Sequence, residues 1–161
     1  MLAYSRRSGI LALAAAGLAL STGQAAPAEK ADGIVRVKSA YSFDHTVARL
    51  KNDIAAKGIR FFLQVDQSRL AAEAGVKLLP STLLLFGNPP LGTQFITANP
   101  NAGLDWPVRL LVVQDELGGV WAVYTDFEWI KRRHGIVDRD AQFKMATTVI
   151  ASITASINGR A

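Results

Sequence analysis

LLLFGNPPLGTQF, residues 83 to 95, sets an apolar run against Gly-Asn-Pro-Pro and then Gly-Thr. Leu83 to Phe86 are apolar at every position, which suits a strand covered on both faces rather than one half open to water. Asn88 followed by Pro89 then matches a helix start, because Asn can cap free amides and proline at the first helical position loses no hydrogen bond. The stretch therefore reads as a strand from Thr82 to Phe86, a tight corner at Gly87, and a helix ended by Asn99-Pro100. A phosphate loop needs converging backbone N–H groups and usually a lysine before the Ser or Thr; Pro89 and Pro90 remove two donors, and no lysine is present. The corner keeps a weaker binding reading, with free amides near Leu91 to Thr93 and the Asn88 and Thr93 side chains facing an anionic or polar ligand. The candidate ligand-binding residues are Asp66, Gly87, Asn88, Gly92 and Thr93.

Upstream of this corner, Ile34 to Ser39 reads as a strand. Phe43, Val47, Leu50 and Ile54 then recur at helical spacing, with Ser42 as N-cap and Gly58 just past the end. Ile59, Phe61, Leu63 and Val65 alternate with Arg60, Phe62, Gln64 and Asp66, a second strand with one apolar and one mixed face. Asp66 is placed to cap a short helix through Leu70, Ala71 and Ala74 that stops at Gly75. Downstream, a polar loop reaches Trp106-Pro107, Val108 to Asp115 forms a strand, and Gly118-Gly119 turns the chain back through Val120 to Thr125 as a hairpin. Asp126 to Arg133 is a short helix. Asp140 to Ile157 is a long one, with Phe143, Met145, Ala146, Val149, Ile150, Ile153 and Ile157 on its apolar side. The expected fold is α+β: about five strands in a mostly antiparallel or mixed sheet, helices packed on it, and a long C-terminal helix. Because strands three to five carry apolar residues on both faces, the second face is expected to be closed by the C-terminal helix or by another subunit, which favours a homodimer.

The chain has 161 residues, 50% hydrophobic and 19% charged, as expected of one folded domain. Arg6 and Arg7 precede an apolar run from Ile10 to Leu20, and small residues follow at Ser21, Gly23 and Ala25, so residues 1 to 25 read as a signal peptide. The run is too short for a span of about 20 apolar residues, and no membrane span is expected after its removal. Ser8 and Gly9 follow the arginines where a twin-arginine signal wants an apolar residue, which favours general secretion. Residues 26 to 32 read as a flexible leader and 33 to 161 as the single domain; the expected location is the periplasm or outside the cell.

Loss of Arg6 and Arg7 brings the net charge from +5 to +3. That is small for a nucleic-acid binder, and the short cluster Lys131-Arg132-Arg133 reads as the dipole-favoured end of a helix. The absence of cysteine excludes disulfides, thiolate nucleophiles and cysteine-ligated metals. His45 falls about 200° from Phe43 by helical rotation, opposite the buried stripe, and reads as a solvated residue. His134 follows Arg132 and Arg133 at a helix end, where the dipole favours a cation. No metal, cofactor or catalytic residue is therefore assigned. Asp66, Asp105, Asp115 and Asp126 sit near strand ends, where sites form but where caps and turns also need Asp.

In order, the segments Val37-Lys38-Ser39, Ser42-Phe43-Asp44, Lys57-Gly58-Ile59, Val65-Asp66, Ala74-Gly75, Leu84-Leu85-Phe86-Gly87-Asn88-Pro89, Gly92-Thr93, Asn99-Pro100 and Trp106-Pro107-Val108-Arg109 resemble the domain of unknown function 302 family. The likeness runs from about Val35 to His134, and the Phe-Gly-Asn-Pro…Gly-Thr block is its most specific part. It implies a small α+β protein, with a dimer resting on the sheet, and no established activity. Many members look to have a histidine after the aspartate of the second strand; Gln67 stands there, so no metal or proton-transfer role is carried over. The expected function is a non-enzymatic periplasmic module that binds a small polar ligand or a partner protein. The alternative is a small hydrolase or lyase that uses a strand-end carboxylate.

Overall fold

Alternating apolar residues and turn punctuation produce five strands and five α-helices in the computed structural model, which describes residues 32–159. The signal segment 1–25 and residues 26–31 of the leader lie outside the described residues. Strand β1 is Ile34–Lys38, helix α1 is Phe43–Ala56, strand β2 is Arg60–Asp66 and helix α2 is Gln67–Glu73. Strand β3, Ser81–Gly87, leads into helix α3, Pro89–Ala98. A 3-10 helix, Pro100–Asp105, occupies what reads locally as a loop; Asn99 accepts from the Asn101 amide and starts it. Strands β4, Val108–Gln114, and β5, Val120–Thr125, form the hairpin, followed by helices α4, Phe127–Arg133, and α5, Asp140–Ala155.

The sheet order is β1-β5-β4-β3-β2, and every neighbouring pair is antiparallel. The first strand thus pairs with the last, and β2 is the far edge. The inner face carries Leu84, Leu110, Val112 and Ala122, all fully buried. Helix α1 covers it with Leu50 and Ile54, and α5 covers it with Phe143, Ile150 and Ile153. Both helices have the one-sided apolar pattern that such packing needs.

Helix α5 packs against α1, α3 and α4, so it closes the inner face and not the second one. On that outer face Val65, Leu83, Leu111 and Val123 stand in register across four strands, half-buried. Trp121 and Val113 extend the row above them, with Arg36 and Lys38 lying over the Trp121 indole at 5.1 and 5.8 Å.

Strand β2 departs from simple alternation. Phe61 pairs with Phe86 and Leu63 with Leu85, with the register shifting between them, so Phe62 is the extra residue of a bulge. The bulge sends Phe61 to the inner face and Leu63, 53% exposed, to the outer one. An apolar pair in succession has no period that could announce this.

Leu110→Ala should lower stability by about 2–5 kcal/mol, because it opens a cavity in the inner core. Leu111→Ala, one residue on and facing out, should cost under half as much; chemical denaturation of the two variants measures the difference.

Candidate functional site

The corner that opens α3 uses its amides internally. The Asn88 carbonyl accepts from Leu91 N at 3.0 Å and Gly92 N at 2.8 Å, and Thr93 Oγ1 donates to the Pro89 carbonyl at 2.8 Å. These groups satisfy the first turn of a helix and do not converge outward on an anion. Asn88 is the N-cap by position, yet its side chain makes no cap bond and is exposed.

The two glycines have a different task. A Cβ on Gly92 would overlap the Trp106 indole, and one on Gly87 would stand 3.0 Å from Trp106 Cζ2. They are the seat on which that ring lies. Trp106 then meets Phe95 edge-on, with centroids 5.8 Å apart, and Phe95 lies against Phe143 of α5 at 4.3 Å. Pro107, on the far side of a cis peptide bond, starts the chain into β4.

Between this aromatic stack, the inner sheet face and α5 lies a cavity of about 360 Å³. Its walls are apolar, with Trp106, Phe86, Val108, Leu91, Val149 and Ile150 prominent; Lys57, Asn88, Thr148 and Ser152 supply its polar atoms. Of the five candidate residues, Gly87 and Asn88 border this cavity. Gly92 is buried against Trp106, Thr93 is exposed on α3, and Asp66 lies in a separate polar groove with Asp44, Lys51 and Gln64. The structure therefore does not bring the predicted set together at one place.

The strand-end carboxylates are engaged. Asp66 Oδ1 accepts from Arg69 N at 2.9 Å and Ser68 Oγ at 2.8 Å, capping α2. The Arg69 amide first, then the Ser68 hydroxyl, hold its pKa below the ordinary carboxylate value. Next to it Gln67 accepts from Ser81 Oγ at 2.7 Å. Asp126 caps α4 through Trp129 N at 2.9 Å. Asp115 closes the hairpin: its oxygens accept from Trp121 Nε1 and Gly119 N, each at 2.7 Å, and from Leu117 N at 3.0 Å.

Asp105 and His134 differ most from their sequence reading. Asp105 is buried at the end of the 3-10 helix and accepts from Arg109 Nη2 at 2.7 Å, Arg133 Nη1 at 3.1 Å and His134 Nε2 at 2.7 Å. His134, read from sequence only as a residue at a helix end, has a side chain only 5% exposed, and its carbonyl accepts from Asn99 Nδ2 at 2.8 Å. One carboxylate thus gathers β4, α4 and the loop after α3. His45 is exposed as expected. No group of three or more metal-ligating His, Asp or Glu side chains assembles among the described residues.

Two outcomes follow from these contacts. Asp105→Asn leaves two guanidinium groups and an imidazole with a weaker acceptor, and should cost about 1–3 kcal/mol by thermal or urea unfolding. Asp115 is held below its ordinary value of 3.8, first by the Trp121 N–H and then by the Gly119 amide. Its stabilising contribution is complete above that value and is lost as pH falls through the lower, folded one. Asp115→Asn should flatten the acid limb of the stability curve below about pH 4.

A family model described as "Domain of unknown function DUF302" matches residues 35–157. A solved structure, an uncharacterized conserved protein DUF302 from Bacillus stearothermophilus, superposes with a TM-score of 0.63 at 18% identity, over 78% of this chain and 95% of that one. Its likeness is one of fold. Among curated proteins, "Fluoride-specific ion channel FluC 1" of Brucella suis biovar 1 (strain 1330) is 34% identical over 123 residues, 76% of this chain and 48% of that protein. The protein of the same name from Brucella abortus biovar 1 (strain 9-941) is 34% identical over 123 residues, 46% of its length. The chain thus spans about half the length of these curated relatives. Among its described residues no helix is long and apolar enough to cross a membrane.

Proposed function

The chain belongs to the DUF302 family, and on that footing we propose that it is an exported, non-enzymatic, dimeric module that binds a small ligand in the cavity beside Gly87 and Asn88. The observation that carries this reading is the cavity itself. Its volume falls in the range of small-molecule sites, about 300–1,000 Å³, and its walls are mostly apolar with a few polar residues among them. The sequence expectation of a small polar ligand changes accordingly: the α3 amides are spent within the helix, and the walls suit an apolar body. Export rests on Arg6-Arg7, the apolar run Ile10 to Leu20 and the small residues after it. The hydrolase or lyase alternative is less well supported, because Asp66, Asp115 and Asp126 cap or close turns and Asp105 is saturated by three donors.

A second copy is the proposed cover for the outer sheet face. Its apolar row runs toward the β2 edge, where α2 buries none of its residues. Leu63, Leu70, Val76, Leu78 and Leu79 are all exposed there. An isologous pair would cover both surfaces at once. Light scattering should show a dimer for the wild type and a folded monomer for Leu111→Lys; a wild-type monomer at every concentration contradicts the pairing.

A second functional reading has one observation in its favour. The two Brucella relatives join a segment similar to this chain to about as much further sequence, under the name of a fluoride channel. On this reading the module serves beside such a channel. Loss of the gene should then raise fluoride sensitivity in growth assays, and unchanged growth speaks against it.

Native mass spectrometry of protein purified from the periplasm tests the main reading. A dimer that retains a small mass, lost in Val149→Phe, is the expected result. A species with no retained mass, even after incubation with a periplasmic extract, contradicts ligand binding.

A further inference from the structure

We infer that the cavity takes a single-chain anionic amphiphile, a carboxylate with an unbranched apolar tail, held with its tail against Trp106 and its head at Lys57 and Asn88. This inference rests on the binding reading above and names the chemical class of its ligand. Two features of the cavity point to that class. The walls contributed by Phe86, Trp106, Val108 and Ile150 offer an extended apolar surface, which a polar metabolite would leave unmatched and an alkyl chain would cover. Among the residues that line the cavity, Lys57 is the sole one with a charge, so the head group that complements the cavity is an anion.

Of the two polar groups assigned to the head, Lys57 has a present partner to exchange and Asn88 has no cap bond to give up. Lys57 stands at the C-cap of α1 and meets Asp53 at 2.6 Å, an i,i+4 pair with side chains 31% and 23% exposed. Exposed pairs of this kind contribute little stability, so exchanging Asp53 for a ligand carboxylate loses little. Asn88 makes no cap bond to α3, and its amide can donate to a carboxylate oxygen. Thr148 and Ser152, exposed on the side of α5 that borders the cavity, leave a path for the chain to enter.

The test is isothermal titration of the mature protein with hexanoate, octanoate, decanoate, octan-1-ol and octylammonium. Affinity for the carboxylates should rise about fourfold per added methylene until the cavity is filled. Octanoate should bind at least about tenfold more tightly than octylammonium. Lys57→Gln should weaken octanoate while leaving octan-1-ol and the melting temperature unchanged. Val149→Phe should abolish binding of every chain; Ser152→Phe, at the exposed side, replaces it if the first variant misfolds. Equal affinities for octanoate and octan-1-ol, with Lys57→Gln inert, would overturn the anionic class and leave the cavity as a binding site. Binding of none of the five probes, together with no retained mass from the periplasm, would overturn both readings.

Discussion

Every helix of this fold with a substantial buried side works on one face of the sheet, while the strands carry apolar side chains on both. That mismatch organises the molecule. On the inner face Leu84, Leu110, Val112 and Ala122 meet α1 and α5 and form the core. On the outer face Leu83, Leu111 and Val123 alternate with those core residues along the same strands, and the described residues supply no helix to seal them. Burial of apolar area drives folding and association alike, so the strands that build the core on one face would bury their other face in the proposed dimer.

The cavity is a second consequence of the inner layer. Trp106 is too large to lie beside α3 unless the neighbouring backbone is bare, and Gly92 in the helix and Gly87 at the end of β3 provide it. Once seated, the indole is held edge-on by Phe95, which is held in turn by Phe143. This chain of rings links Trp106 through α3 to the first turn of α5. Below it, Asp105 ties Arg109, Arg133 and His134 together and anchors the segment that delivers Trp106. The charge cluster shapes the site through position, since its acceptor capacity is consumed by its own partners.

Much of this was legible in local sequence. The stripe of Phe43, Val47, Leu50 and Ile54, the Gly118-Gly119 turn and the Asn88-Pro89 helix start all depend on neighbours a few residues apart, and each element formed where its pattern placed it. Other features depend on contacts that no short window contains. His134 lies 29 residues from Asp105, so its burial has no local mark. The Phe61-Phe62 pair hides the bulge because both residues suit either face. Gly87 and Gly92 carry the same signal whether they approach a ligand or an indole, and the ring they accommodate comes from a later segment. The pairing of the first strand with the last is set by how the helices pack, which strand periodicity does not encode.

In the proposed site Trp106 forms the wall of a ligand cavity rather than part of a closed core. A variant with Trp121→Phe and Trp129→Phe leaves Trp106 as the single indole and makes its emission a direct reporter of that wall. Titration with octanoate should shift and saturate the emission, and Val149→Phe should remove the response. An emission spectrum that stays constant throughout the titration, in a protein that remains folded by circular dichroism, would contradict the account.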